Sequence, residues 1–327
     1  MSTGPDHNRV TGVARRTMHL GCLLALISPL LFVTAGAVPA SAAPSSPGYW
    51  LEAGDGGIFT FGTPFEGSAA SDATRCPANP PDRSMPDGSC WSMAPTADGG
   101  GYWILNAYSG VVYPYGDAVS YGEPADTPAY SAGAETRPTA IGIVATSDGK
   151  GYWVLELGLS GLGSVQSFGD AVNYGDETTI AHGTGHVGKP VALAATHDGN
   201  GYWIVDSDGG VFSFGDAVFY GSTGGTRLNA SVVGMAVTPD GNGYWLAGAD
   251  GGVFTFGDAA FGGSMADTRL AKPVVGIAAN ARGNGYWLAG ADGGVFALGG
   301  APYLGSLGGR HLDRPVFTID SLPRLTA

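Results

Sequence analysis

Thr238-Pro239-Asp240-Gly241-Asn242-Gly243-Tyr244-Trp245-Leu246-Ala247 is the stretch on which the fold of this chain turns. Its first half is a turn, because Asp-Gly and a second glycine supply positive φ. Its second half is a short apolar run of strand type. The Gly-Tyr-Trp core occurs six times, with tryptophans at Trp50, Trp103, Trp153, Trp203, Trp245 and Trp287 and gaps of 53, 50, 50, 42 and 42 residues. Self-similarity at roughly forty residues marks a repeat architecture, either a four-stranded blade or a helical pair.

Working outward from Trp245 decides between the two. Residues 232–237 are an apolar run, strand a; residues 244–247 are strand b. Ala249-Asp250-Gly251-Gly252 is a tight hairpin signal, residues 253–256 are strand c, and residues 259–262 read as a short strand d. No segment is long enough for a helix, and glycine interrupts every candidate. Strands b and c are apolar on both faces, so both faces must be covered, as they are when one sheet stacks on the next. The expectation is an all-β, six-bladed β-propeller of four-stranded blades, with b strands at residues 48–53, 101–106, 151–156, 201–206, 243–248 and 285–290. The tryptophans form its structural core. Before residues 48–53 there is no strand a, while residues 314–320 look like a strand a with nothing after it. The expected ring is therefore closed by the C-terminal strand pairing with the first blade, which leaves no open edge.

These turns carry a resemblance. Thr96-Ala97-Asp98-Gly99-Gly100-Gly101-Tyr102-Trp103 is similar to the Asp-box of sialidase-type propellers, with Tyr102 where the box has threonine. The stretches from Thr146 to Trp153, Thr196 to Trp203 and Thr238 to Trp245 repeat it, and the sixth copy departs with Asn280 and Arg282. The same corner resembles that of WD-type and TolB-type blades. Residues 48–320 as a whole resemble the Gly-Tyr-Trp-repeat propellers of exported actinobacterial proteins, which occur alone or appended to wall-active enzymes. The resemblance implies a fold and says little about activity, because an Asp-box is a structural turn.

Residues 1–42 stand apart. Arg9, Arg15 and Arg16, an apolar run from Met18 to about Val38, and Ala40-Ser41-Ala42 read as a secretory signal peptide cleaved near Ala42. Arg15-Arg16 admits a twin-arginine route. The expected product is a secreted single domain, residues 43–327, monomeric and without a membrane span. It retains 27 acidic and 12 basic residues, a net charge near −15, which excludes nucleic acid as a partner because that requires a basic face. Cys76 and Cys90 survive processing, and an oxidising compartment would pair them as a disulfide; closing that loop stabilises by roughly 3 kcal/mol.

The repeats differ in length only at the b–c and d–a links, which share one face. The insertions lie in copies one to three, at residues 71–89, 123–137, 158–164 and 177–189. Loops on a rigid scaffold usually carry binding, although insertions there are also cheap. Tyr108, Tyr130, Glu156, Glu177, His182 and His186 are the candidate ligand-binding residues of that face. His182 and His186 with His197 invite a metal, but the intervening glycines favour exposed loop histidines. The repeated aspartates lack the ligand alternation of a calcium loop and read as turn formers. No Gly-x-Ser-x-Gly elbow and no sialidase arginine setting is present. No catalytic residue, metal or cofactor is assigned. The expected function is a non-catalytic binding module for an extracellular or cell-wall glycan or a surface protein. The alternatives are a glycosidase-like hydrolase with its carboxylates on the decorated loop face, and a structural spacer.

Overall fold

In a computed structural model, residues 47–70, 91–127, 138–180 and 188–322 are described. All belong to the compact unit Ser41–Ala327. The eighteen strands of this region are β1 (Tyr49–Ala53), β2 (Ile58–Phe61), β3 (Trp91–Pro95), β4 (Gly101–Asn106), β5 (Val112–Gly116), β6 (Thr139–Ala145), β7 (Gly151–Leu157), β8 (Gly163–Gly169), β9 (Pro190–Ala195), β10 (Gly201–Asp206), β11 (Val211–Gly215), β12 (Val232–Val237), β13 (Gly243–Gly248), β14 (Val253–Gly257), β15 (Val274–Ala279), β16 (Gly285–Gly290), β17 (Val295–Gly299) and β18 (Val316–Ser321). They form six three-stranded antiparallel sheets. Sheet 1 is β18-β1-β2, and sheets 2 to 6 take the remaining strands three at a time in chain order. Among the described residues, helix is confined to single 3-10 turns at Pro124–Asp126 and Glu177–Thr179. This architecture fits a six-bladed propeller.

Each middle strand is buried on both sides. Tyr49, Tyr102, Tyr152, Tyr202, Tyr244 and Tyr286 and the six Gly-Tyr-Trp tryptophans are at most 1% exposed. Successive side chains of a strand point to opposite faces, so the tyrosine of each repeat meets the sheet before it and the tryptophan the sheet after it. Thus Trp245 and Ala247 cluster with Tyr286 and Leu288, and Trp287 and Ala289 cluster with Tyr49 and Leu51. Ring centroids of the Trp–Tyr pairs lie 5.1 to 6.0 Å apart, from Trp287–Tyr49 to Trp50–Tyr102. The first strands of the sheets also contact one another in succession: β3 with β6, β6 with β9, β9 with β12, β12 with β15, β15 with β18 and β18 with β3.

β18 pairs antiparallel with β1, placing Trp50 opposite Asp320 and Glu52 opposite Thr318. The first sheet is thus assembled from the two ends of the described chain.

The expected fourth strand is not formed in the described repeats. Residues 259–262 join no ladder. Their backbone is held largely by side chains, with one bond from Gly299 N to Gly262 O (2.9 Å): Trp245 Nε1 donates to Ala260 O (2.8 Å), Tyr286 Oη donates to Gly263 O (2.6 Å) and accepts from Gly262 N (3.1 Å). The segment is drawn over the junction between sheets 5 and 6 and away from the outer edge of β14. The motif's two aromatics therefore clamp two successive repeats. The tryptophan bond recurs at Pro64, Val119, Val172, Val218 and Pro302. The tyrosine bond recurs at Gly67, Gly122, Gly175, Gly221 and, from Tyr49, at Gly305.

Candidate functional site

The two ends of the sheets have different chemistry. At the a–b corners, Thr96 Oγ1 accepts from Gly101 N (2.9 Å) and lies 3.0 Å from both Asp98 Oδ1 and Asp117 Oδ1. Asp98 also accepts from Gly100 N (3.1 Å), and Gly99 supplies the left-handed residue of the turn at φ +72°. Thr196–Asp198 and Thr238 repeat this arrangement. In the third copy Lys150 Nζ sits 2.8 Å from Asp148 Oδ2, and that hydrogen bond, with others from Lys150 N and Thr146, holds the Asp148 carboxyl at about 2. The sixth copy substitutes an amide pair, Asn280 Nδ2 to Asn284 Oδ1 (2.7 Å). These carboxylates are engaged in closing turns. Among the described residues, no group of three or more His, Cys, Asp or Glu is placed to hold a metal.

At the opposite end, Asp208, Asp250 and Asp292 cap the b–c hairpins through Gly210, Gly252 and Gly294 N–H at 2.9 to 3.1 Å. Of the sequence-named residues, Tyr108 is half-buried against the cluster around Trp50 and Trp91. Glu156 and Glu177 lie in the interior, 3% and 0% exposed. Gln166 Nε2 donates to both Glu156 oxygens at 2.9 Å, and Gly163 N donates to Glu177 Oε2 at 2.6 Å. Glu156 shares its strand face with Tyr152 and Val154, toward sheet 2. Glu177 packs by Gly163 and Leu155, toward sheet 4. The two do not face one another. Tyr130, His182, His186, Cys76 and Cys90, and the leader at residues 1–42, lie outside the described residues.

Other buried carboxyls were missed in the sequence. Glu52 and Asp206 are 0% exposed, as is the amide of Asn106. The third residue of the Trp-Leu-Glu start of β1 stands where the other repeats have Leu105, Leu155, Val205, Ala247 or Ala289. That single departure from an apolar position was the available signal. Neither Glu52 oxygen has a hydrogen-bond partner among the described residues. Burial, and secondarily the charge of Asp320, pushes its carboxyl well above the usual range. Asp320 is pushed up to about 7 by burial. Asp206 is pushed up to about 8 by burial, then by the adjoining Glu177 carboxyl.

A groove of about 260 Å³ runs beside β14. It is lined by Asp250, Gly252, Val253 and Phe254 of the β13–β14 hairpin, by Leu228 to Ala230 of the preceding link, and by Phe261, Ser264 and Ala266 of the following one. The groove belongs to the fifth repeat, whose links are short, and not to the long-looped copies one to three. It is aromatic and polar at once, which suits a ligand held by stacking and a few hydrogen bonds.

Neither a family model nor a curated protein matches this chain. Among solved structures it is similar to the β-propeller domain of Cps50 (Swd1) from Myceliophteria thermophila, at 10% identity over 71% of this chain and 76% of that one, with a TM-score of 0.44.

Proposed function

We propose that the six sheets are the blades of a closed ring, sealed by β18 on β1, and that the exported protein is a non-catalytic binding module for an extracellular glycan or a surface protein. Closure is supported by Tyr49, which makes with Gly305 the bond that the other five tyrosines make with the repeat before them. The binding reading is carried by one observation. The sequence-named acids Glu156 and Glu177 are bonded within the fold on opposite sides of sheet 3, the neighbouring Glu177 and Asp206 are both shut in at 0% exposure, and the groove beside β14 offers Phe261, Asn229, Asp250 and Ser264 to solvent without a second carboxylate beside Asp250. A glycosidase requires a carboxylate pair flanking one bond.

The test is retention of the full chain on insoluble cell-wall material, before and after protease or glycosidase treatment of that material, with release of reducing sugar followed in parallel. Saturable retention with no release supports the module. Sustained sugar release that survives purification would establish the hydrolase instead. Export is tested separately, by N-terminal sequencing of protein recovered from culture medium, with a new terminus expected near residue 43.

A further inference from the structure

We propose that the outer edge of β14 is a docking strand for an extended, acidic peptide segment of a partner protein, which pairs with it as a fourth strand. This rests on the binding-module reading and names the partner's chemistry.

The argument begins with two repeats in which the position is filled from within. In sheet 2, Val112 N donates outward to Glu123 Oε2 (2.8 Å); in sheet 3, Val165 N donates outward to Asp176 Oδ2 (3.2 Å). Asn173 Nδ2 donates to Val165 O at 2.8 Å, so that edge is plugged on both its donor and its acceptor. Both acids follow the glycine that receives the tyrosine bond. In the fourth, fifth and sixth repeats the residue after that glycine is Ser222, Ser264 and Ser306. Val253 is the counterpart of Val112 and Val165, since Val253 opposes Ala247 as Val112 opposes Leu105 and Val165 opposes Leu155. Its N–H therefore points away from β13, into the groove, where Ser264 Oγ is turned back to Ala266 N (3.4 Å). Val253 is also the one of the six equivalent residues that is not buried.

A second feature coincides with the first. The residue after each tryptophan-bound carbonyl is Ser120 or Asn173 in the two plugged repeats. In the other four it is an exposed aromatic: Phe65 (58%), Phe219 (57%), Phe261 (64%) and Tyr303 (62%). Plugged edges lack the aromatic, and unplugged edges have it. An unpaired strand edge beside an apolar wall is the geometry of strand addition, in which main-chain bonds give affinity and flanking pockets select alternate side chains.

Charge selects the partner. The chain carries a net charge of −13, yet its links at residues 221–231, 263–273 and 305–315 each carry one net positive charge. Arg227, Arg269 and Lys272 are exposed on the links that bound the groove, and none has an ion-pair partner among the described residues. Asp250, the one charged residue that lines the groove, is turned to Gly252 N (2.9 Å), so the N–H that a carboxylate caps in sheets 2 and 3 opens in sheet 5 into a groove whose bounding links carry the cations, which fits a strand carrying Asp or Glu.

The experiment pans a randomised octapeptide display library on the full chain, with the Ser264→Glu variant as counter-selection. That substitution places in sheet 5 the plug that sheet 2 already has. Enriched sequences are expected to alternate acidic and apolar residues. One synthetic representative should lose at least tenfold in affinity on Ser264→Glu, on Phe261→Ser, and on N-methylation of its alternate amides. Slowed amide exchange at Val253 in Ser264→Glu, with unchanged thermal unfolding, certifies the plug. Enrichment indifferent to Ser264→Glu, or binding indifferent to N-methylation, overturns the proposal, as does failure to enrich any sequence. Wall retention that persists without peptide binding sinks this inference and leaves the module standing; loss of both sinks both. Glycosidase-sensitive retention that Ser264→Glu abolishes assigns the groove to a glycan instead.

Discussion

The tryptophan and tyrosine of each repeat do two jobs that separate mutants can resolve. Each fills the space between sheets, and each satisfies a carbonyl in a segment that has no ladder. Trp245→Phe keeps most of the packing but orphans Ala260 O, at a cost of about 1–3 kcal/mol by denaturant unfolding. Trp245→Ala also opens a cavity and is expected to cost about 3–5 kcal/mol. A Trp245→Phe cost indistinguishable from zero would mean that the segment is held by packing alone. Gly251 illustrates a different constraint. It sits at φ +82°, and an added Cβ would lie 2.6 Å from the Cβ of Met265, so Gly251→Ala should destabilise on both counts.

At the scale of elements, the β1–β18 seam is both the join between distant parts of the chain and the place where carboxyls are buried. Removing residues 314–327 strips β1 of one of its two ladder partners and is expected to cost more than about 4 kcal/mol, read by calorimetry. Glu52, Asp320 and Thr318 share the face of sheet 1 that looks toward Asn106 in sheet 2. Both carboxyls bind their protons more tightly folded than unfolded. Their contribution is therefore fully present below the unfolded value near 4 and declines as pH rises toward 7 for Asp320, and as it rises through its own raised value for Glu52. Asp320 alone accounts for a decline on the order of 4 kcal/mol. Urea titrations at pH 4, 5.5, 7 and 8 should show that slope in the parent chain and a flatter one in Glu52→Gln/Asp320→Asn. An equal slope in both would place the pH dependence elsewhere, with Asp206 the next group to change. The c-strand edges are the other element-level device: plugged by Glu123 and Asp176 in sheets 2 and 3, and left to a serine in sheets 4, 5 and 6.

For the whole molecule, the proposed ring makes a symmetry argument testable. If all six junctions are equivalent, Tyr49→Phe must cost as much as Tyr244→Phe, because each removes a hydroxyl that donates to the preceding repeat at 2.6 Å and accepts a backbone N–H there, from Leu304 and from Tyr220. Parallel unfolding curves of the two variants check this. A much smaller cost for Tyr49→Phe would show that the sixth and first sheets are joined more loosely than the others. The acidic corners and the locally basic links also give the two ends of the sheets different characters, so a partner steered by charge should reach the link end in a salt-sensitive way.

The repeats, their strands and their turns were legible from residue order alone, because period, glycine placement and the Thr-x-Asp-Gly corner are local properties of the chain. So was the strand that falls within residues 314–321. The expectation of a fourth strand failed at residues 259–262 because strand formation there depends on which backbone groups the neighbouring Trp245 and Tyr286 capture, and those meet it only once sheets 5 and 6 are stacked. The candidate acids shared that fate: Glu156 and Glu177 read as loop-face residues, and their burial on opposite sides of sheet 3 depends on strand ends that pass between sheets. Glu52 announced itself only as one acid in an otherwise apolar column. What tertiary structure alone decided was which main-chain edges are plugged and which stand open, since that is set by side chains reaching across from links eleven residues further along the chain, such as Glu123 to Val112.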